Sequence, residues 1–370
     1  MTLRVGKLVY GIIKLLPCLL AVLLASSCSS EVNSDEQKGN KTLVTLTIAA
    51  SGNAATASRA VSGNSSTITR AGASVSDPTN KDYYISDLTV LIFDESGNVI
   101  GSTTKQASDL SIADGKITIK VLTRAAQNCT VYAIANALAL NNNATPFAGV
   151  ATLSALKSMV KTYKDADDIN KESCLLMMGK TESFDTTNGS AAAISLQRLA
   201  SRIDFNFTVN NDITTGFPIV VDSYQLCNVP TSTFYQQSDF TNPSMPSVSA
   251  STSLYQSLEP KAEIDKPYTC YVYTNTDKSN KTYLLINAHS AVTGSDGSTY
   301  KVWNSVFHVN MPDGVKPNMH YTVNITIKGS ANKSGVGGDI TTYEAYPYFS
   351  GSIPTLNKWQ SEPDRNLDLQ

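Results

Sequence analysis

Between residues 42 and 51 the stretch TLVTLTIAAS alternates: Val44, Leu46, Ile48 and Ala50 fall on one side and mainly threonines on the other. A period of two is that of a strand with one face in a core and the other in water. The pattern is then lost over residues 52–80, which are rich in Gly, Ala, Ser and Thr. Arg59 and Arg70 are the charges there before Asp77. It resumes at YYISDLTVLIFDESGNVI, where Ile85, Leu88, Val90, Ile92 and Phe93 precede a Glu95–Asn98 turn signal. KITIKVL (116–122) and CTVYAIANA (129–137) read as further strands. In VATLSALKSMVKTY (150–163) the apolar residues Leu153, Leu156, Met159 and Val160 recur at helical spacing, predicting one short helix. Strands return in SCLLMMGKTESF and in AAAISLQRLASRIDFNFTV, the latter dense with Leu196, Leu199, Ile203, Phe205 and Phe207.

Residues 208–216 turn polar and contain glycine, which suits a joint between domains. Beyond them lie FPIVVDSYQLCNV, a Ser/Pro-rich insert at about 231–262, and then YTCYVYTNT, KTYLLINAHSAV, YKVWNSVFHV and HYTVNITIKG. Each alternates or is mostly β-branched and aromatic, with Asn, Asp, Gly or Pro at the joins. Short strands with so little helix predict an all-β chain of two tandem antiparallel β-sandwich domains, with one short helix in the first. After a Gly-rich joint the last stretch contains Ile353, Leu356, Trp359, Leu367 and Leu369. Pro354 and Pro363 interrupt its alternation, so it reads as an edge strand or as an extended arm offered to another molecule.

The formal charge of −2, with 16% charged residues, offers no basic stripe for nucleic acid, and none is expected as a partner. The first 28 residues stand outside the fold. Arg4, Lys7 and Lys14 lead into the apolar run LLPCLLAVLLA, and small residues then reach Cys28 in ASSCSS. The run is short for a membrane span and reads as a secretory signal. Small residues before a cysteine resemble a bacterial lipoprotein signal, in which Cys28 becomes the lipidated end. Cys129, Cys174, Cys227 and Cys270 remain for the folded part. They allow two disulfides, but three of them lie in or beside apolar runs, which favours buried free thiols.

Catalytic patterns are missing. The sequence contains no G-x-S-x-G elbow, H-E-x-x-H pair or phosphate loop, so no enzyme, cofactor or metal is expected. His289, His308 and His320 have no helical i,i+4 relationship and read as strand or turn residues. KDADDINKE (164–172) lacks the glycine and terminal glutamate of a calcium loop and reads as solvated. Tyr300 and Trp303 suggest core or a sugar-stacking face, so a glycan-binding surface lipoprotein is the alternative function.

What remains informative concerns assembly: a lipid end, a separable first strand, an arginine-bearing link and a detachable C-terminal arm. Several stretches, in order, resemble the fimbrillins of Bacteroidales, the lipoprotein precursors of major-fimbria subunits. They are the region ending at Cys28, strand 42–51 with Arg70-Ala71, ISDLTVLIFDESGNV, AQNCTVYAIANA, LQRLASRIDFNFTV, NMHYTVNITIKGSA and the terminal Trp359. The resemblance implies two transthyretin-like sandwiches: residues 71–207 and 208–370, after a signal peptide (1–28) and a propeptide (29–70). It also implies an outer-membrane-anchored precursor whose first strand an arginine-specific surface protease removes. The exposed groove would then receive a strand from another fimbrial subunit, building extracellular fimbriae. By position, Val44, Leu46, Ile48 and Ala50 belong to the removed strand, and residues 352–369 are the donor arm. Arg70-Ala71 is the expected cleavage bond and Arg59-Ala60 its rival. A stalk subunit fits best, with a tip or anchor subunit as the alternative.

Overall fold

The computed structural model describes residues 41–48, 76–113, 116–187, 191–210, 219–246, 254–264, 267–293, 296–311, 314–328 and 340–341. All of them fall within one compact unit, Asn40–Gln370. The first body contains β1 (Lys41–Ile48), β2 (Asp87–Phe93), β3 (Val99–Gln106), β4 (Ser111–Ala113), β5 (Lys116–Arg124), β6 (Cys129–Ala135), β7 (Val160–Thr162), β8 (Met177–Phe184), β9 (Ala191–Ala193) and β10 (Gln197–Arg198). All but β7 form one sheet in the order β10-β8-β6-β2-β3-β5-β1-β9, with β4 added to β5.

That sheet bends around one core and carries a second on its outer side. Val44, Leu46, Ile48, Leu88, Val90, Ile92, Ile117, Ile119 and Val121 fill the first. Leu91, Phe93, Tyr132, Ile134, Leu176 and Met178 face the second. The apolar run Val90–Phe93 of β2 is explained by this arrangement: all seven residues of the strand are buried, Leu88, Val90 and Ile92 in the first core and Leu91 and Phe93 in the second. The bend is tight where β3 meets β5. A Cβ on Gly101 would lie 2.7 Å from the Cβ of Thr123, so no larger residue fits at this crossing.

The second body comprises β11 (Ala200–Asn210), β12 (Ile219–Cys227), β13 (Val229–Pro230), β14 (Ser232–Phe234), β15 (Tyr255–Gln256), β16 (Tyr268–Tyr273), β17 (Tyr283–Thr293), β18 (Thr299–Asn310), β19 (His320–Lys328) and β20 (Ile340–Thr341). A β16-β11-β19-β20 sheet and a β12-β17-β18 sheet face each other. Ile203, Phe205, Val272, Val323 and Ile325 from one meet Leu226, Leu284, Ile286 and Phe307 from the other, giving a β-sandwich. Most ladders are antiparallel. Two, β1–β9 and β11–β19, are parallel, and each joins strands far enough apart in sequence for a crossover.

The expected helix is present but shorter. α1 (Leu153–Ser158) starts at Thr152, whose hydroxyl accepts the amide of Ala155 at 3.2 Å. It ends at Met159, which is extended. Val160, assigned to the helix by its spacing, instead opens β7 and pairs with Phe234 of β14. A β-branched residue with a strand partner available loses little by leaving the helix. A further single turn, α2 (Asp168–Lys171), lies in the acidic stretch at 164–172. The Ser/Pro-rich insert is not a free loop, because Tyr235 is buried and its ring meets Phe147 edge-on at 5.3 Å. Cys129, Cys174, Cys227 and Cys270 are all buried free thiols, and burial pushes the Cys174 thiol up to about 12.

Candidate functional site: the first strand and the clamp behind it

β1 is not an edge strand. It lies between β5, to which it is antiparallel, and β9, to which it is parallel. Its inward residues Val44, Leu46 and Ile48 are fully buried and stand opposite Val121, Ile119 and Ile117 of β5. On the outer face Leu43, Thr45 and Thr47 stand opposite Leu122, Lys120 and Thr118. Leu43 and Leu122 are exposed at 55% and 56%, so this apolar pair lies in water. On the other flank Thr45, Leu46 and Thr47 pair with the small side chains Ala191, Ala192 and Ala193. Each inward side chain contributes about 1.5–3 kcal/mol by leaving water, before the cost of ordering the strand. Without β1, the inward row of β5 and the backbone groups facing the gap on both sides would be uncovered.

Ala50, Cys28, Arg59, Ala60, Arg70 and Ala71 lie outside the described residues, as do Ile353, Leu356, Trp359, Leu367 and Leu369. The last described element towards that end is β20, paired with β19 through Ile340 and Thr341. Tyr300 and Trp303 sit on the backbone of β18, but their side chains also lie outside the described residues. His289 and His320 meet Asp222 and Asp204 at 2.8 Å, and His308 stacks on Tyr283 at 5.1 Å. No group of three or more possible metal ligands occurs among the described residues.

Sequence reading missed what holds the chain downstream of Arg70. Asp82 is buried at the seam of the two bodies, and its carboxylate accepts Arg202 Nη1 at 2.7 Å and the Tyr271 hydroxyl at 2.6 Å. The Asp82 carbonyl accepts Arg198 Nε at 2.6 Å. Arg198 is itself fully buried, with its guanidinium 4.8 Å from the Tyr83 ring centre and Nη1 donating to Asn318 Oδ1 at 3.3 Å. Asn318 adopts a left-handed backbone and returns its amide to the Ala200 carbonyl at 3.0 Å. The segment from Asp77 to Tyr84 is therefore bound to β10, β11 and β16, and the turn before β19 holds Arg198 from the other side. The two arginines of LQRLASRIDF were the only sequence signal for this clamp.

Charge is balanced within the clamp. Burial works against the Arg202 cation, but Asp82 and Asp204 raise its hold on the proton. Burial would likewise raise the Asp204 carboxyl, yet hydrogen bonds from His320, Arg202 and Thr269 keep it well below the usual carboxylate range. Its folded value lies below the unfolded one. Its stabilisation is therefore complete above the ordinary carboxylate pKa of about 4 and is lost as pH falls below that. In urea titrations the loss of stability between pH 6 and pH 3 should accordingly be smaller in Asp204→Asn than in the unsubstituted protein. An equal loss in both would remove Asp204 from the acid response.

Residues 44–222, which take in Val44–Ile48 of β1, match the family model described as major fimbrial subunit protein (FimA). No curated protein sequence matches the chain. Among solved structures, a candidate cell adhesion protein from Parabacteroides distasonis superposes with a TM-score of 0.55 at 15% identity, covering 81% of this chain and 94% of that one. Another from Bacteroides eggerthii gives 0.52 at 18% identity, covering 79% and 88%. A fimbrilin (FimA) from Porphyromonas gingivalis gives 0.46 at 14% identity, covering 80% and 93%. The first two share the fold. The matched segment takes in Val44–Ile48 of β1, both of its partner strands β5 and β9, and the rest of the first sheet, and this part of the chain is similar to the major fimbrial subunit (FimA) family.

Proposed function

We propose that this chain is a stalk subunit of a cell-surface fimbria that polymerises by strand exchange and supports adhesion. The family it is similar to is one of structural, non-catalytic subunits that associate with other fimbrial subunits. On our reading, the precursor is lipidated at Cys28 and carried to the outer membrane. An arginine-specific surface protease cuts at Arg70-Ala71, β1 leaves, and the C-terminal arm of a neighbouring subunit takes its place between β5 and β9. The observation that carries this reading is the position of β1. It is the first of the described strands and fully buried on its inner face, and residues 49–75, which carry Arg59 and Arg70, separate it in sequence from the next described residues.

The clamp at Asp82 supports the same reading, because it ties down the chain beyond the cut independently of β1. Digestion with an arginine-specific protease should give a product whose N-terminal sequence starts at Ala71 and which forms polymers visible by electron microscopy. Arg70→Ala should stop this trimming while leaving the precursor folded. A product starting at Ala60 would move the cut to Arg59. Trimmed protein that stays monomeric at high concentration would overturn the stalk assignment.

A further inference from the structure

The groove is flanked by strands on both sides, which restricts what can enter it. An incoming strand must donate and accept along both of its edges, and proline cannot. Within the arm, Pro354 and Pro363 leave two uninterrupted runs, 355–362 and 364–370. In the first, Leu356 and Trp359 are three apart and would point to opposite faces of a strand. In the second, Leu367 and Leu369 alternate with Asn366, Asp368 and Gln370, as Val44 and Leu46 alternate with Leu43, Thr45 and Thr47.

Two neighbours of that run decide its register. If Leu367 took the place of Leu46 and Leu369 that of Ile48, Arg365 would fall where Val44 stands, a position with no exposure opposite Val121. An unpaired charge there is strongly unfavourable. If Leu367 takes the place of Val44 and Leu369 that of Leu46, Arg365 moves to the half-buried position of Thr42. Asp368 then occupies the position of Thr45, whose partner on β5 is the exposed Lys120. Opposite charges directly across a ladder attract, and like charges repel. The other flank is indifferent, since β9 offers only alanines.

We infer that residues 365–370 of a second copy of this chain enter the groove from the place of Thr42 to that of Thr47, Leu367 and Leu369 taking the places of Val44 and Leu46, and that Lys120 selects this register by pairing with Asp368. The inference rests on the strand-exchange reading above. The arm has the reach for it, because 29 residues follow Thr341, the last residue of β20, and an extended chain spans at most roughly 3.3–3.6 Å per residue.

The test uses full-length protein carrying Lys120→Glu or Asp368→Lys, trimmed as above, with polymer growth followed by light scattering. Each variant alone sets like charges opposite one another and should assemble about threefold to tenfold more slowly than the unsubstituted protein. An equimolar mixture of the two should recover the unsubstituted rate, because every contact between unlike copies restores an opposite-charge pair. Either variant assembling at the unsubstituted rate, or a mixture no faster than its components, would overturn the register. A failure of the strand-exchange reading would look different: the unsubstituted trimmed protein would itself form no polymer.

Discussion

Asp82→Ala is expected to lower the stability of the folded monomer by about 3–5 kcal/mol, the cost of removing one partner from a buried ion pair. The carboxylate is almost inaccessible and serves Arg202 and Tyr271 together at hydrogen-bonding distance. Its loss takes the Asp82 partner from the half-buried Arg202 guanidinium, which keeps its contact with Asp204 at 3.0 Å, and the acceptor from the half-buried Tyr271 hydroxyl. Asp82→Asn keeps an acceptor without the charge and should fall between the two. The midpoint of urea unfolding at constant m-value measures the effect. Arg202→Met combined with Asp82→Ala should cost less than the sum of the single changes, since the pair is removed as a unit. Additive costs would mean that the clamp is a set of independent contacts.

The second large effect separates two states of the same molecule. Leu46→Ala deletes a fully buried side chain from the middle of β1 and should destabilise the precursor by about 2–5 kcal/mol. In polymers grown from trimmed protein the same substitution should have no effect, because on the proposed reading residue 46 is no longer present. Ile119→Ala, opposite Leu46 on β5, should instead weaken both forms, since it lines the groove whichever strand fills it. Thermal unfolding of the precursor and heat dissociation of the polymer read the two cases. A polymer weakened by Leu46→Ala would show that β1 stays in place.

The strands that showed clearly in the sequence are those whose environment is simple. β1 and β5 have one dry face and one wet face, so their residues alternate, and β2 is dry on both faces, so Val90–Phe93 read as a continuous apolar run. Elements that depend on distant partners did not show. Val160 looked helical from its neighbours because its strand partner, Phe234, lies more than seventy residues away. β9 is three alanines with no β propensity, made into a strand by the pairing of β1 alongside it. The clamp was the least legible feature. Asp82, Arg198, Arg202, Tyr271 and Asn318 come from separated stretches, and a single buried charge is locally indistinguishable from a solvated one. In the candidate site, the inward row of β1 could be read directly. The wall opposite could be read only as another strand, until the register joined them.

On the proposed strand-exchange reading, the place of β9 bears on when trimming can safely happen. Among the described residues it pairs with β1 and with no other strand, so the sheet has a finished border on that side only while the middle position is filled. A protomer emptied of β1 carries two raw edges, and raw edges accept almost any extended chain. Solubility then becomes the limiting property, and the danger grows with the number of emptied protomers present at once. A subunit built this way is best cut where a matching strand is already within reach, one molecule at a time, at the growing end of a fibre.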